Sequence, residues 1–188
     1  MGHIRQLSEN LANKIAAGEV VERPASVIKE LTENSIDAKA KSITILVEQG
    51  GTSKMCVIDD GIGMNRADAL LCFSRHATSK IVDENDLFNI TTLGFRGEAI
   101  PSIASISVFT LETNNGEENT KVEYEFGKRK NVSSVAMNRG TKITVERIFQ
   151  NVPARLKYMK SINAEFAAIY SYVERLALAH PEISFTLI

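Results

Sequence analysis

The stretch that decides the fold is PASVIKELTENSIDA, residues 24–38. Wound at about 100° per residue, it predicts an α-helix with one apolar stripe facing a core. The stripe takes in Pro24, Val27, Ile28, Leu31 and Ser35, while the side chains expected to point away from the core are Lys29, Thr32 and Glu33.

Glu30 and Asn34 fall on the shoulder of this stripe. They are one helical turn apart and about 6 Å along the axis, so a carboxylate and an amide overlie each other at the edge of the core. An unpaired polar group there costs about 1–3 kcal/mol, so each must find a partner or act in a site. The helix alone is equally consistent with two surface residues in contact with water.

Composition restricts the class of protein. The chain has 188 residues, of which 44% are hydrophobic and 24% charged, as in an ordinary soluble domain. No apolar run approaches the ~20 residues needed to span a bilayer, and the first residues lack the apolar core of a signal peptide, so a cytoplasmic location is expected. Cys56 and Cys72 are expected to be reduced core thiols. A net charge of −1 argues against a strongly DNA-binding domain but leaves room for a local basic groove.

Residues 41–59 predict a β-hairpin. Ile43, Ile45 and Val47 alternate with polar or outward positions, a Gly-Gly-Thr turn follows, and KMCVID forms the second strand. At least part of the sheet is therefore antiparallel.

The hairpin ends in DDGIGM, residues 59–64. Two carboxylates followed by Gly61 and Gly63 describe a loop that a flat ligand can approach closely. The alternative is a plain polar turn between a strand and a helix, with glycines for positive φ.

Residues 75–97 form a long connection of small, hydroxyl and basic residues, a length typical of a functional lid. Its end, GFRGEA, leads into the helical pattern AIPSIASI, so glycines precede a helix N-terminus where an anion such as phosphate binds. It matches neither a Walker A loop nor GxGxxG.

The rest reads as scaffold. We expect a short helix over residues 8–17, a helix after the capping residue Asn65, and strands over residues 106–113, 121–126 and 141–149. If the strands form a meander, Gly140 and Thr141 lie at the functional edge of the sheet. A long helix over residues 163–179 precedes a final strand, and its expected inward face consists of Phe166, Ile169, Tyr170, Val173, Leu176 and Ala177. Because the chain stops inside that strand, we expect a fragment of a longer protein.

These motifs occur in the order found in the GHKL ATPases, and the chain resembles the N-terminal ATPase region of MutL-type DNA mismatch-repair proteins. The resemblance spans residues 11 to about 160 and rests on LANKIAAGEVVERPASVIKELTENSIDA, DDGIGM, RHATSK, LGFRGEAIPSIAS, GTKITV and NVPARLKY. Gyrase B subunits, heat-shock chaperones and histidine kinases are similar in the helix and the DxGxG loop but not in GEVVERPASVIKEL or NVPAR.

The resemblance implies an α+β fold, a two-layer sandwich in which a mixed, mostly antiparallel sheet carries helices on one face. Residues 1–188 would form one ATPase domain. A transducer domain, which supplies a lysine to the ATP site, and a C-terminal dimerisation region would follow it outside these residues.

The resemblance also implies roles for individual residues. Glu30 would be the catalytic general base and Asn34 the Mg²⁺ ligand, while Asp59 would accept a hydrogen bond from the amino group of adenine. Thr141 would assist Asp59, through water. The whole expected nucleotide-binding set is Asn34, Asp59, Gly61, Gly63, Met64, Thr78, Ser79, Leu93, Gly94, Phe95, Arg96, Gly97, Glu98, Ala99 and Thr141. Arg75, His76, Lys80 and Arg96 could equally be lid or solvated residues.

ATP and Mg²⁺ are therefore the expected ligands. The implied partners of the full-length protein are a MutS-type mismatch-recognition protein, DNA bound weakly and non-specifically, and a second copy in an ATP-dependent homodimer. Lacking the lysine, this chain should bind ATP but hydrolyse it weakly.

Two alternatives stay open: a module in which nucleotide binding without turnover is the function, and a chaperone-type GHKL ATPase. The candidate DNA contacts, which could equally be solvated, are Lys128, Arg129, Lys130, Arg139, Lys142, Arg155, Lys157 and Lys160.

Overall fold

The computed structural model describes residues 17–18, 20–75, 77 and 97–188. The helices in these ranges are α1 (Pro24–Asp37), α2 (Arg66–Leu71), α3 (Ala99–Ser105), α4 (Pro153–Leu156) and α5 (Ile162–Ala179). The strands are β1 (Ser42–Glu48), β2 (Lys54–Asp59), β3 (Val108–Asn114), β4 (Asn119–Glu125), β5 (Lys128–Ser133), β6 (Gly140–Glu146) and β7 (Ser184–Leu187). Most of the expected helix over residues 8–17 lies outside the described residues.

The strands form one seven-stranded sheet in the order β5-β4-β3-β6-β2-β1-β7. Only β1 and β7 pair in parallel, and every other neighbouring pair is antiparallel. The mixed, mostly antiparallel α+β sandwich expected from the sequence is therefore confirmed. The meander is wrong: β6 lies between β2 and β3, which brings its first residues beside the end of β2.

One face of the sheet forms the core with the helices. Side chains directly opposite one another across the strands are buried there, including Ile45, Val57, Leu111 and Val122. The apolar stripe of α1 packs into the same cluster, with Val27 and Ile28 at 0% exposure. Burial of this stripe fixes the rotation of α1 and hence the direction of its shoulder.

Strand β5 was not expected from the sequence. Its first four residues, KRKN, are exposed, and it is the edge strand beside β4. Lys130 pairs with Glu125 at 2.9 Å across the two strands. Pairing with a neighbour, rather than an apolar face, makes this segment a strand, and charged side chains are typical of a protected sheet edge.

The expected inward face of α5 is partly wrong. Ile169 and Val173 are buried, but Phe166 and Tyr170 are exposed to 37% and 53%. Glu165 lies inside instead, at 1% exposure, because Arg23 donates to its Oε2 at 2.9 Å and the Lys160 N–H donates to its Oε1 at 3.0 Å. Glu165 therefore extends the buried stripe of Ile169 and Val173 by one turn toward the start of the helix.

The outward face expected for α1 is also partly wrong, since Thr32 and Glu33 are buried. The Thr32 hydroxyl donates to the Ile28 carbonyl at 2.7 Å, and Glu33 accepts from the Tyr172 hydroxyl at 3.1 Å. α5 covers this side of α1 and supplies the donor to Glu33, whereas the partner of Thr32 is a carbonyl of α1 itself. Across the described ranges, no helix has the length and apolar character needed to cross a bilayer.

Candidate functional site

Helix α1 presents both candidate polar side chains at the edge of the core. Pro24 occupies its first turn, where the missing N–H leaves no bond unmade. Glu30 and Asn34 are half-buried on the shoulder of the buried stripe, as expected. Arg23, just before the helix, is held through its Nε and Nη2 by Glu165, so the start of α1 is fixed against α5.

The carboxylate of Glu30 belongs to a charged group that we call the Glu30 edge, made of Lys29, Glu30 and Glu33. Lys29 is exposed, as expected, and its Nζ lies 3.3 Å from Glu30 Oε1 and 3.0 Å from Glu33 Oε2. Burial alone would lower the pKa of Lys29, but the hydrogen bonds and charges of the two glutamates outweigh it and raise that pKa. The lysine side chain is still 46% exposed, so solvent screens this group.

One residue after Asn34, α1 contacts the end of β2. Ser35 is buried, and its hydroxyl donates to Asp59 Oδ2 at 2.7 Å. The other oxygen, Oδ1, accepts the backbone N–H of Gly61 at 2.9 Å and that of Thr141 at 3.2 Å. Three donors from three elements therefore fix one carboxylate that is 9% exposed.

Burial raises the pKa of Asp59 above its ordinary value, and the three hydrogen bonds only partly offset that rise. The sequence indicated Asp59 and Thr141 but treated Ser35 as part of the apolar stripe. Ser35 lies 24 residues from Asp59 in the chain, so no local pattern could have joined them.

Thr113 in β3 is a second contributor, and no local sequence pattern indicates it. It is fully buried, and its Oγ1 accepts the backbone N–H of Met64 at 2.9 Å and lies 3.2 Å from the Thr141 hydroxyl. β3 therefore holds the far end of the DDGIGM loop, and Met64 is placed through its main chain. We call Ser35, Asp59, Gly61, Thr113 and Thr141 the Asp59 cluster.

Glycines in this region allow two segments of the backbone to approach each other closely. Gly63 has φ of +68°, and a Cβ there would overlap the carbonyl oxygen of Asn114. Gly140 has φ of +130°, and a Cβ there would overlap the carbonyl oxygen of Asp59. Any side chain at either position would push the loop away from β3 or separate β6 from β2.

Asp60 has a structural task. Its Oδ1 accepts the backbone N–H groups of Lys41 at 2.7 Å and Ser42 at 2.9 Å, where β1 begins. Burial alone would raise the pKa of Asp60, but these two hydrogen bonds outweigh it and the pKa is lowered. Of the two adjacent carboxylates, only Asp59 faces the cluster.

The expected phosphate-binding segment is described only at its ends. α3 begins at Ala99, as the sequence predicts, and Gly97 has φ of +62°, where a Cβ would overlap the carbonyl oxygen of Ala77. Arg75 lies 3.8 Å from Glu98, so the two ends of the connection are adjacent. The remaining predicted residues lie outside the described residues: His76, Thr78, Ser79, Lys80, Leu93, Gly94, Phe95 and Arg96.

The basic residues named as DNA candidates have different surroundings. Lys128, Arg129 and Lys130 are exposed on β5. Arg155 faces the protein: its Nη1 donates to the Val21 carbonyl at 2.6 Å, and its guanidinium lies 5.7 Å from the centre of the Phe149 ring. It holds the segment before α1 in place rather than presenting its charge to solvent.

The sequence and the fold were compared with known proteins. Residues 22–158 match the family model described as histidine kinase-, DNA gyrase B- and HSP90-like ATPase. The chain is 56% identical over its whole length to the DNA mismatch repair protein MutL of Lactococcus lactis subsp. cremoris and covers 29% of that protein. It is 57% identical to MutL of Geobacillus kaustophilus and covers 30% of it. The chain thus spans less than a third of these relatives.

Solved structures agree. The crystal structure of the N-terminal domain of a DNA repair protein has a TM-score of 0.79 and 27% identity, over 94% of this chain and 51% of that one. The Aquifex aeolicus MutL ATPase domain complexed with ADP has a TM-score of 0.69 and 29% identity, over 90% of this chain and 60% of that one. The chain therefore belongs to the histidine kinase-, DNA gyrase B- and HSP90-like ATPase family, within which it is an ATPase domain of the MutL type.

Proposed function

We propose that this domain binds ATP with Mg²⁺ and hydrolyses its γ-phosphate, with the base held at the Asp59 cluster and the triphosphate beside the Glu30 edge. One observation carries the proposal. The Ser35–Asp59 hydrogen bond connects the loop proposed to bind adenine with the helix that bears Glu30 and Asn34. The groups proposed to bind adenine, the metal and the attacking water therefore belong to one rigid unit.

Asp59 has the chemistry of an adenine-reading group. An ionised carboxylate has about four acceptor sites, and three are filled by Ser35, Gly61 and Thr141. One acceptor site on Oδ2 is left for a donor such as the exocyclic amino group of adenine, the type of group that Asp and Glu read on bases. The loop through Gly61, Gly63 and Met64 would form the wall beside the base.

Glu30 is proposed as the general base. Its carboxylate is half-buried at the edge of the core, where it can orient the attacking water and accept its proton. Lys29, 3.3 Å away, restrains the carboxylate and balances its charge before the proton arrives. Water can therefore reach the Glu30 carboxylate, and the position of that carboxylate is defined.

Asn34 is suited to a magnesium site in which the protein supplies only one or two of the ligands. Within the described ranges, no three His, Cys, Asp or Glu side chains form a metal centre. Mg²⁺ usually takes one or two protein oxygens and completes its shell with phosphates and water, and an amide oxygen one turn from Glu30 suits that arrangement. When bound, the ion would neutralise phosphate charge and orient the triphosphate. Thr78, Ser79 and residues 93–99 are proposed to supply the remaining phosphate contacts.

The broader assignment rests on the similarity to MutL. We propose that the full-length protein acts in DNA mismatch repair, engages a MutS-type protein and DNA, and forms an ATP-dependent homodimer. We also propose that a lysine from a following domain completes the site, so that the 188-residue chain turns over weakly. A cytoplasmic location stays a prediction from the sequence.

Two variants test the mechanism in the full-length protein and in this chain. Glu30→Gln should bind MgATP with near wild-type affinity but release phosphate at least about 100-fold more slowly, because the proton acceptor is lost. Asn34→Ala should weaken binding of MgATP while leaving metal-free ATP little changed. Calorimetry with and without Mg²⁺, together with single-turnover phosphate release, measures both.

Glu174→Gln, at an exposed position on α5, is the matched control and should behave as the wild type. Wild-type turnover in Glu30→Gln would overturn the assignment of the general base. Full repair activity by a Glu30→Gln protein that binds but does not hydrolyse ATP would favour the binding-only module.

A further inference from the structure

We propose that Ser35 is a positioning residue for Asp59, and that it sets the preference of the site for a purine with an exocyclic amino group over one with a carbonyl oxygen. The inference rests on the proposed function, since it concerns how the base is chosen rather than whether ATP binds.

The geometry separates the two oxygens of Asp59. Oδ1 accepts two backbone N–H groups, which cannot be altered by substituting a side chain. Oδ2 accepts from Ser35 alone among the hydrogen bonds found in the described residues, and it is the oxygen with capacity for a ligand. Ser35 is thus the side-chain donor on the oxygen that would face the base.

The hydrogen bond to Asp59 is the shorter of two available to Ser35. The hydroxyl lies 2.7 Å from Asp59 Oδ2 and 3.1 Å from the Leu31 carbonyl one turn earlier. A hydroxyl has one proton, and the charged acceptor is favoured. Because Ser35 is 3% exposed on a helix packed in the core, it cannot move away without disturbing α1.

A fixed acceptor discriminates between bases more sharply than a mobile one. A carbonyl oxygen at the 6-position of a purine would meet Oδ2 acceptor to acceptor, and the mismatch is costly only if the carboxylate cannot rotate or take up water. Without the Ser35 hydroxyl, the Asp59 carboxylate can rotate or take up water. A purine with an amino group then loses a preorganised acceptor, and a purine with a carbonyl oxygen suffers less from the contact between two acceptors.

The test compares ATP with inosine triphosphate, each with Mg²⁺, by calorimetric titration of the wild type, Ser35→Ala and Ser35→Cys. Ser35→Ala should reduce the ratio of ATP to inosine triphosphate affinity about tenfold, the scale of one lost hydrogen bond to a charged group. Ser35→Cys retains a weaker donor and should give an intermediate ratio. It also carries the test if the alanine variant does not fold.

Ser107→Ala is the matched control. Ser107 is fully buried and donates to a carbonyl one turn earlier, that of Ile103 at 2.7 Å. It comes just before β3, six residues and about 20 Å from Thr113. It should lower the melting temperature and leave the affinity ratio unchanged. An equal loss of affinity for both nucleotides in Ser35→Ala, or no loss, would overturn the role of Ser35 alone. A wild type that fails to bind ATP would overturn the proposed function itself.

Discussion

The Asp59 cluster and the Glu30 edge each include residues of α1, but the two regions are held in opposite ways. In the cluster, the Asp59 carboxylate is 9% exposed and accepts hydrogen bonds from α1, from the loop after β2 and from β6. At the edge, the side chain of Glu30 is 24% exposed and forms an ion pair with Lys29, whose side chain is 46% exposed. In the cluster, buried hydrogen bonds fix the position of the carboxylate. At the edge, the position of the carboxylate depends on an ion pair that solvent screens.

The contrast indicates which part of the candidate site is made by this domain alone. The donors to Asp59 all belong to this domain, so the proposed base recognition would depend mainly on these residues. The Glu30 edge is only partly enclosed, and its proposed chemistry would depend on groups that arrive with the triphosphate or from elsewhere in the protein. Substitutions should therefore affect stability and binding in the cluster but turnover at the edge.

The largest effect on stability is expected for Gly63→Ala. The new Cβ would overlap the Asn114 carbonyl at a positive φ, which should cost about 3 kcal/mol of unfolding free energy and loosen the loop. Gly116→Ala is the control, because its φ is +100° but no atom lies within 4 Å, so only backbone strain of about 1 kcal/mol is added. Urea denaturation measures both. Equal costs would show that the contact between this loop and β3 does not constrain the cluster.

A smaller effect on stability, which depends on pH, is expected for Asp59→Asn. Burial raises the pKa of Asp59 in the folded state, so as the pH rises the unfolded chain loses its proton first. The wild type should therefore lose stability from its ordinary pKa of 3.8 up to the raised folded pKa, and no more above it. The asparagine does not titrate.

The difference in melting temperature between Asp59→Asn and the wild type should consequently shift in favour of the variant as the pH rises through this window. Thermal denaturation from about pH 3 to about pH 8 measures it. A constant difference over this range would contradict a buried Asp59 with a raised pKa.

The smallest effect on stability is expected for Lys29→Met at the edge. Because Lys29 is 46% exposed and Glu33 keeps its hydrogen bond from Tyr172, the unfolding free energy should change by no more than about 1 kcal/mol. Phosphate release by the full-length protein should still fall about threefold, as Glu30 loses its restraint. Lys54→Met, which removes a lysine 3.9 Å from Glu48 on the β1–β2 hairpin, is the control and should change neither quantity. A large loss of stability in Lys29→Met would remove the contrast between the two regions.

Local patterns predicted the elements whose signals are local. The apolar stripe of α1, the β1–β2 hairpin, the helix after Asn65 and the start of α3 at Ala99 are all present. Asn65 accepts the Asp68 N–H at 2.8 Å, as expected of a capping residue. In each case, the residues that decide the element lie within a few positions of one another.

The features that were missed depend on distant partners. Glu165 is inside because Arg23, 142 residues earlier, meets it, and this excludes Phe166 from the core. Thr113 enters the site through Met64, 49 residues away. β5 forms because β4 offers it an edge, although three of its residues are basic. A helical or strand period carries no information about such partners.

The central claim, that a rigid Asp59 acceptor reads the base, is tested most directly by titrating Asp59→Asn with ATP and with inosine triphosphate. Oδ1 must still accept two backbone N–H groups, so the amide NH₂ takes the place of Oδ2 and donates both to Ser35 and toward the base. ATP affinity should fall at least about 100-fold and inosine triphosphate should become the better ligand. Wild-type affinity for ATP in Asp59→Asn would contradict the account.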